Sequence, residues 1–479
     1  MRAAPPDLPG SQTTDSPLDR ALALLLAGER EAALRWSAAT VEKEAQIASA
    51  LILTSRLLAE AGRSEAATEG FELGIMQAID AGNLPIAVAA VADLRALKVD
   101  VSRHLDTIAD AFCKVSPRLG DPTALPPPPL PDPGNDFQPL SSFLSGPLLL
   151  SKATQIIHEA RQRYEAEADS SPPRIAPVPL FSQIERDGVR ALIGAFDMIT
   201  VPAGAIVIEE GEEGAEAYIV ARGELEVRRR KRDAEPMSNT SLHTAGALLD
   251  SSPDSTASEV DVQLTLARLT NGALFGEMAL LSRAPRAASV VACRPSILLV
   301  ARRDALEAVA VARPEVGVEL AAHCRRRMVA NLVRTSPVLI AVDPTERPAL
   351  VERFETRIFE KGEKLIAAGE DTSGLHLIAS GEVAVVGDDG GESFVISTLG
   401  AGDVVGEVAL VLRRKANADV VAVHPTVTLH LPREHFVSLI QEHPAILLSL
   451  YSLAVQRDEE TTTVLANVTT SVADDYVLI

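Results

Sequence analysis

The residues from 275 to 290 combine groups that could bind a small anion. Gly276 has no Cβ, so a ligand can come close to its backbone. If a short helix begins there, its free N–H groups and the positive end of its dipole face a phosphate. Arg286 carries a planar guanidinium that fits phosphate oxygens, whereas Glu277 cannot favour a phosphate and suits a hydroxyl such as that of a ribose. These residue types predict a site for a phosphate and a neighbouring hydroxyl.

The stretch reads F-G-E-M-A-L at 275–280 and, after a short spacer, P-R-A-A-S-V at 285–290. It resembles the phosphate-binding cassette of cyclic-nucleotide-binding domains, whose pattern F-G-E-x-A-L, spacer, P-R-A-A-[ST]-V is matched at every position. The resemblance implies that Glu277 accepts a hydrogen bond from the ribose 2′-hydroxyl and that Arg286 pairs with an exocyclic phosphate oxygen. Nearby backbone N–H groups would complete the cradle. The implied binding residues are Gly276, Glu277, Met278, Ala279, Arg286 and Ala287.

Ala287 bears on which nucleotide is bound. Family members selective for cyclic GMP often carry threonine directly after the arginine, so alanine favours cyclic AMP, with cyclic GMP as the alternative. A different interpretation makes the stretch a turn between strands, in which Glu277 and Arg286 form a local salt bridge.

The pattern occurs twice in the chain. Glycine-acid pairs of the first copy, such as 211–212 and 223–224, return at 369–370 and 381–382, an offset of 158 residues. The cassette itself returns at 405–420, an offset of 130, because the second copy lacks a long inserted loop. The chain is therefore predicted to contain two related domains.

The second cassette departs from the pattern where the phosphate would bind. Gly406 and Glu407 remain, but Ala416 takes the place of the arginine and Asp419 that of the hydroxyl. An acid there opposes a phosphate. The second site is predicted to be lost, with Glu407 a relic or a surface charge, unless the basic residues 413–415 substitute for the arginine.

Short strands and glycine turns must position both cassettes. Their alternation from Pro179 onward predicts a small β-roll, interrupted at 228–261 by a loop that begins with five basic residues and is poor in apolar ones. The resemblance implies that the helix after the roll, about 304–334, moves to cap the base. It contains no aromatic residue, so the predicted lid is a second-domain residue or one of Leu320, Met328 and Leu332.

The chain begins with a helical pattern. The heptad at 27–33 returns at 61–67, an offset of 34 residues and the period of tetratricopeptide hairpins; a plain helical bundle is the alternative. A helical hairpin array would bind a protein partner.

The predicted fold class is multidomain α+β, with N-terminal α-helical hairpins followed by two β-roll (jelly-roll-like) domains with flanking helices. The predicted segments are a disordered tail at 1–16, a tetratricopeptide-like domain at 17–119, a proline-rich linker with one helix at 120–178, the first nucleotide-binding domain at 179–335, the second at 336–456, and a tail at 457–479.

Composition narrows the function. The formal charge of −21 disfavours nucleic acid and anionic membranes as partners. Three scattered cysteines give neither a zinc spacing nor a disulfide framework, and neither a signal peptide nor a run of membrane-spanning length is evident, which predicts a cytoplasmic location and no metal. We find no catalytic motif and predict that the chain is not an enzyme.

The predicted function is a cytosolic, non-catalytic regulatory protein that binds cyclic AMP in its first domain and passes a signal by helix movement to a protein partner. One alternative is a structural scaffold with vestigial pockets. A kinase regulatory subunit also uses tandem domains, but its Arg-Arg-x-[Ser/Ala] inhibitor sequence is not found ahead of the first domain.

Overall fold

The computed structural model describes residues 16–44, 47–120, 137–167, 172–230, 263–278, 285–340, 342–343, 345–346, 350, 352–389 and 392–474. The predicted N-terminal tail up to residue 15, the proline run at 126–131 and most of the predicted loop at 228–261 lie outside these ranges. The loop prediction began too early, because residues 228–230 complete a strand.

The first part of the described chain is a helical region of seven helices. Positive φ angles at Gly28, Gly62 and Gly82 form the turns after the first, third and fourth helices, and the first and second of these turns belong to the predicted repeat. The tetratricopeptide interpretation itself stays a prediction. The helices are α1 Pro17–Leu26, α2 Arg30–Lys43, α3 Ala48–Glu60, α4 Ser64–Asp80, α5 Leu84–Ala96, α6 Ser102–Phe112 and α7 Gly146–Glu167.

Helix α7 belongs to this region although the sequence analysis placed it in a linker. It buries Leu149, Ile156 and Ile157 against α2, α3 and α4. The hydroxyl of Tyr164 donates to a carboxylate oxygen of Asp80 at 2.5 Å. An apolar face of this size has to be covered, so the helix packs rather than spans a gap.

The first β-roll consists of two four-stranded antiparallel sheets, in the orders β1-β8-β3-β6 and β2-β7-β4-β5. Helix α8 (Arg186–Gly194) precedes it, and α9 (Arg303–Ala312) and α10 (Pro314–Thr335) follow it. Its strands are β1 Asp197–Val201, β2 Ile206–Ile208, β3 Glu216–Arg222, β4 Leu225–Arg230, β5 Gln263–Leu269, β6 Leu274–Phe275, β7 Ser289–Ala292 and β8 Ser296–Arg302.

The second β-roll repeats this topology, in the orders β14-β11-β16-β9 and β10-β15-β12-β13. Its strands are β9 Glu355–Phe359, β10 Lys364–Ile366, β11 Gly374–Ser380, β12 Glu382–Asp389, β13 Glu392–Gly400, β14 Val404–Val405, β15 Asp419–Ala422 and β16 Thr426–Pro432. Its helices are α11 Pro337–Ile340, α12 Glu407–Val411, α13 Arg433–Glu442 and α14 Pro444–Asp474. Helix α14 continues into the predicted tail because neither glycine nor proline occurs between 445 and 474. The predicted fold class is confirmed.

The helical region and the first β-roll share one apolar core, with α5 against β1, β3 and β8. A buried ionic contact reinforces it: Arg222 of β3 donates to Asp19 at 2.5 Å and to the hydroxyl of Ser16 at 3.0 Å. Arg294 also pairs with Asp19, at 3.2 Å. The two parts are therefore joined by packing as well as by the chain. Among the described residues, no helix is long and apolar enough to cross a membrane.

Candidate functional site

Arg286 is held inside the first β-roll by backbone on two sides. Its main-chain N–H donates to the carbonyl of Glu212 at 2.8 Å, and its carbonyl accepts from the N–H of Gly211 at 2.9 Å. In the side chain, Nη1 donates to the carbonyl of Gly276 and Nη2 to that of Glu216, both at 2.9 Å. Only 7% of the side chain is exposed, and burial lowers the pKa of its guanidinium.

Two glycines make room for this guanidinium. A Cβ built on Gly214 would lie 2.3 Å from Nε and from Nη2 of Arg286. Gly276 has a φ of +75°, and a Cβ there would be 3.0 Å from Nη1. Close approach of backbone to a charged group is what glycine permits. The spacing in the cassette therefore places a buried cation directly against its own backbone.

Glu277 is buried beside this cation but pairs with a different one. Its Oε1 accepts a hydrogen bond from Nε of Arg327, on helix α10, at 2.8 Å. The thiol of Cys324, on the same helix, contacts the carbonyl of Glu277 at 3.9 Å. The Arg286 guanidinium lies beside Glu216 instead, whose Oε2 is 3.6 Å from Nη2. The alternative prediction of a local Glu277–Arg286 salt bridge is therefore wrong.

The other predicted site residues that the structure describes, Met278 and Ala287, have surroundings different from those of Arg286 and Glu277. The side chain of Met278 packs against the apolar core of the second β-roll. Ala287 is exposed, and its carbonyl accepts from Nε of Arg229 at 3.3 Å. Ala279 lies outside the described residues. The structure thus brings Gly276, Glu277 and Arg286 together.

The predicted lid residues are already packed. Met328 and Leu332 of α10 belong to the core of the second β-roll, and Leu320 packs against the shared core of the helical region and first β-roll. Helix α10 therefore connects both β-rolls, and Glu277 is tied to it through Arg327.

The second cassette has the same backbone. The N–H of Ala416 donates to the carbonyl of Glu370 at 3.0 Å, and its carbonyl accepts from Gly369 at 2.8 Å, as Arg286 does with Glu212 and Gly211. Gly406 also has a positive φ, +91°. Ala416 therefore occupies the structural position of the phosphate-binding arginine.

Asp419 has a structural role that the sequence analysis did not predict. Its Oδ1 accepts from the N–H of Ala368 at 2.7 Å, and in the first β-roll the hydroxyl of Ser289 accepts from Glu210 in the equivalent way. Lys364 pairs with its other oxygen at 2.7 Å. The bond from Lys364, followed by that from Ala368, lowers the pKa of Asp419. The Asp419 carboxylate caps a turn, and Lys364 balances its charge. Its role is therefore not only to oppose a phosphate.

Glu407 is not a surface charge, as one of the two predicted alternatives had it. It is 2% exposed and accepts a hydrogen bond at 2.7 Å from Arg457 of α14. Burial raises the pKa of the Glu407 carboxyl, and Arg457 opposes that shift. Of the three basic residues proposed as substitutes, Arg414 pairs with Asp458, also on α14.

Sequence reasoning missed the helix arginines, although a signal was present. Arg327 and Arg457 are separated by 130 residues, the offset that relates the two cassettes, and so are the helix-starting Pro314 and Pro444. Extending the repeat beyond the strands would have identified both Glu–Arg pairs. Within the described residues, no group of three or more His, Cys, Asp or Glu side chains is arranged to hold a metal ion.

Comparisons with known proteins agree with this geometry. Residues 255–312 and 356–443 match the model of the cyclic nucleotide-binding domain. The cAMP-dependent protein kinase regulatory subunit of Hypocrea atroviridis is 28% identical over 282 residues, covering 59% of this chain and 54% of that protein. The type II regulatory subunit of Drosophila melanogaster is 27% identical over 252 residues, covering 53% and 56%. The chain thus spans about half the length of these relatives.

A solved structure, the regulatory domain of Toxoplasma gondii PKA with cAMP, is 23% identical and covers 58% of this chain and 92% of that one, with a TM-score of 0.27. The segment 255–312 ends with the last residue of α9, the segment 356–443 ends one residue after α13, and together they include both cassettes. The segments 255–312 and 356–443, which contain the two cassettes, therefore match the cyclic nucleotide-binding domain family.

Proposed function

We propose that this chain is a non-catalytic regulatory protein that binds one cyclic nucleotide, cyclic AMP in preference to cyclic GMP, in its first β-roll. The observation that carries the proposal is the buried guanidinium of Arg286 beside the positive-φ backbone of Gly276. A guanidinium has five N–H donors, so it can serve phosphate oxygens as well as the two carbonyls that it contacts. The family match of the two segments that contain the cassettes supports the ligand class.

Glu277 links ligand binding to helix α10. A carboxylate has two oxygens, so this side chain can accept from a ribose hydroxyl while it holds Arg327 at 2.8 Å. The backbone N–H groups near Met278, Ala279 and Ala287 complete the proposed cradle. A nucleotide would shift the position of α10 only by its differential affinity for the two positions.

The proposed route of the signal follows the packing. Residues of α10 lie in the core of the second β-roll, and the first β-roll shares its core with the helical region. A change in α10 would therefore reach the second β-roll directly and the helical region through the shared core. The helical region is the proposed protein-binding surface.

The similarity to regulatory subunits of cAMP-dependent protein kinase favours a protein kinase as the partner. An Arg-Arg-x-[Ser/Ala] sequence does not occur in residues 1–196. Affinity capture of a purified cAMP-dependent protein kinase catalytic subunit on the full chain, with and without cyclic AMP, tests this partner. Nucleotide-sensitive capture is expected; equal recovery, or none, would argue against this partner.

Calorimetric titration of the full chain with cyclic AMP and cyclic GMP tests the ligand proposal. Charge-assisted hydrogen bonds contribute about 1.5–3 kcal/mol each, so Arg286→Ala is expected to weaken binding at least about tenfold. Arg286→Lys keeps the charge without the planar fork and is expected to bind with intermediate affinity. Arg414→Ala, in the second cassette, is the matched control and should leave the affinity unchanged.

Two outcomes would contradict the proposal. No heat with either nucleotide would favour the structural scaffold, and tight binding by a folded Arg286→Ala variant would refute the assigned site.

A further inference from the structure

Gly214 and Thr372 occupy the same position in the two β-rolls. The offset between them is 158 residues, which also relates Glu216 to Gly374 at the start of the paired strands β3 and β11. The hydrogen bonds that fix Arg286 and Ala416 lie directly beside this position. Gly214 and Thr372 therefore lie at structurally equivalent positions in the two β-rolls.

In the first β-roll this position forms one wall of the guanidinium pocket, the space bounded by Gly214 and by the carbonyls of Gly276 and Glu216. Because a Cβ on Gly214 would be only 2.3 Å from the Arg286 side chain, no residue larger than glycine fits while the arginine is in place. Real Cβ atoms do not approach non-bonded atoms so closely, and the buried planar guanidinium has little room to move.

In the second β-roll the equivalent space is filled. Thr372 is 5% exposed, and its hydroxyl donates to the carbonyl of Gly374 at 3.0 Å. That carbonyl is the counterpart of the Glu216 carbonyl to which Nη2 of Arg286 donates. The threonine therefore satisfies an acceptor that the missing arginine would have satisfied.

The atoms around the two cassette glycines, Gly276 and Gly406, show that Thr372 takes the place of the arginine side chain. A Cβ on Gly276 would meet Nη1 of Arg286 at 3.0 Å, the carbonyl of Glu216 at 3.0 Å and Ile208 at 3.2 Å. A Cβ on Gly406 would meet Thr372 Oγ1 at 3.2 Å, the carbonyl of Gly374 at 2.6 Å and Ile366 at 3.3 Å. Oγ1 of Thr372 and Nη1 of Arg286 thus lie at similar distances from the two equivalent Cβ positions, among equivalent carbonyl and isoleucine neighbours.

We infer that the residue at position 214 or 372 determines whether its β-roll can hold a phosphate-binding arginine. Gly214 leaves room for the arginine in the first pocket, and Thr372 fills the equivalent space in the second. The two pockets therefore differ by two coupled replacements, arginine by alanine and glycine by threonine. The second β-roll is then closed to cyclic nucleotides by a rebuilt pocket, and restoring the arginine alone cannot reopen it. This inference rests on the proposed function for its ligand, but its packing argument does not.

A stability cycle on the full chain tests the packing argument without nucleotide, using Ala416→Arg, Thr372→Gly and the double variant. Ala416→Arg forces a guanidinium into occupied space and should lower the melting temperature of the second β-roll by about 2–4 °C or more. The double variant should recover most of that loss, which is a non-additive result. Additive effects, or an Ala416→Arg variant as stable as the parent, would overturn the inference.

Nucleotide titration of the same variants in an Arg286→Ala background tests the functional half. The double variant should bind cyclic AMP at least about tenfold more tightly than either single variant. In the otherwise unchanged chain, Gly214→Thr should weaken binding at least about tenfold, whereas Gly194→Thr, at a glycine with open space around its Cβ, should not. Binding restored by Ala416→Arg alone, or unaffected by Gly214→Thr, would overturn the inference. A parent chain that binds no nucleotide would contradict the proposed function instead, and the stability cycle would still decide the packing argument.

Discussion

The two β-rolls differ in the residues that face a phosphate and agree in those that face the following helix. Arg286 and Gly214 are replaced by Ala416 and Thr372, whereas the Glu277–Arg327 pair returns as Glu407–Arg457. The tie between cassette and helix is thus kept where the arginine is lost. A contact of this kind between cassette and helix stabilises the fold whether or not a ligand is bound.

The second cassette is also tied more firmly to its helix. Besides the pair with Glu407, Asp458 of α14 pairs with Arg414 and accepts from Asn417 at 3.2 Å. The residue equivalent to Asp458 in the first β-roll is Met328, which is buried in the second core. Among the described residues, the second cassette is therefore tied to its helix by three side-chain contacts, whereas the first has one ion pair and, in our proposal, a ligand.

The largest expected effect comes from Arg457→Ala. It leaves the carboxylate of Glu407, 2% exposed, without this partner, and removing one member of a buried pair costs about 3–5 kcal/mol. Arg327→Ala should cost less, because 36% of the Arg327 side chain is exposed. Hydrogen exchange in β14 and α12, or in β6 for the first β-roll, measures the two losses. Arg326→Ala, an exposed neighbour, is the control, and equal losses for the two pairs would contradict the comparison.

A second difference between the two β-rolls lies at the ends of the equivalent strands β3 and β11. Arg222 anchors Asp19 of the helical region, and its counterpart in the second β-roll is Ser380. Arg222→Ser should weaken the attachment of the helical region by about 1.5–3 kcal/mol, since Arg294 still pairs with Asp19. Limited proteolysis at α1 and urea denaturation followed by Trp36 fluorescence report this loss. An unchanged urea midpoint would show that the apolar core alone holds the helical region.

A third difference concerns acid. His376 and His430 face each other across β11 and β16, with ring centroids 4.4 Å apart, where the first β-roll has Tyr218 and Val300. Burial lowers the pKa of His376 to about 3 and also lowers that of His430. On unfolding, each imidazole protonates near its ordinary pKa of 6.5, so the second β-roll should be most stable above pH 6.5 and lose stability as the pH falls towards 3.

The expected slope is at most about 1.4 kcal/mol per pH unit for each imidazole. Hydrogen exchange of β11 and β16 at pH 7 and pH 5, corrected for the intrinsic exchange rate, measures it. The double variant His376→Tyr/His430→Val imports the residues of the first β-roll and should remove most of the slope. A slope that persists in this variant would assign it to other groups.

The sequence allowed prediction of features set by local spacing. Gly276 and Arg286 are ten residues apart in one turn, and the positions of glycines and acids revealed the second copy. The fold class followed from the same periodicity. Such features need only short-range geometry, which residue order expresses directly.

What could not be predicted depends on distant packing. Glu277 and Arg327 are fifty residues apart, and their contact depends on how α10 crosses the roll. The burial of Glu407 follows in the same way from the course of α14. Helix α7 is separated from α2 by a proline-rich run, so its attachment could not be read from neighbouring residues. The role of Thr372 became evident only when its neighbours were compared with those of Gly214.

The number of cyclic AMP molecules bound per chain tests the central claim most directly. Equilibrium dialysis of the full chain with radiolabelled cyclic AMP is expected to give one molecule per chain. Arg286→Ala should weaken this binding at least about tenfold, and Arg414→Ala should leave both its affinity and the one molecule per chain unchanged. Two molecules per chain, or an undiminished affinity in a folded Arg286→Ala variant, would contradict the account.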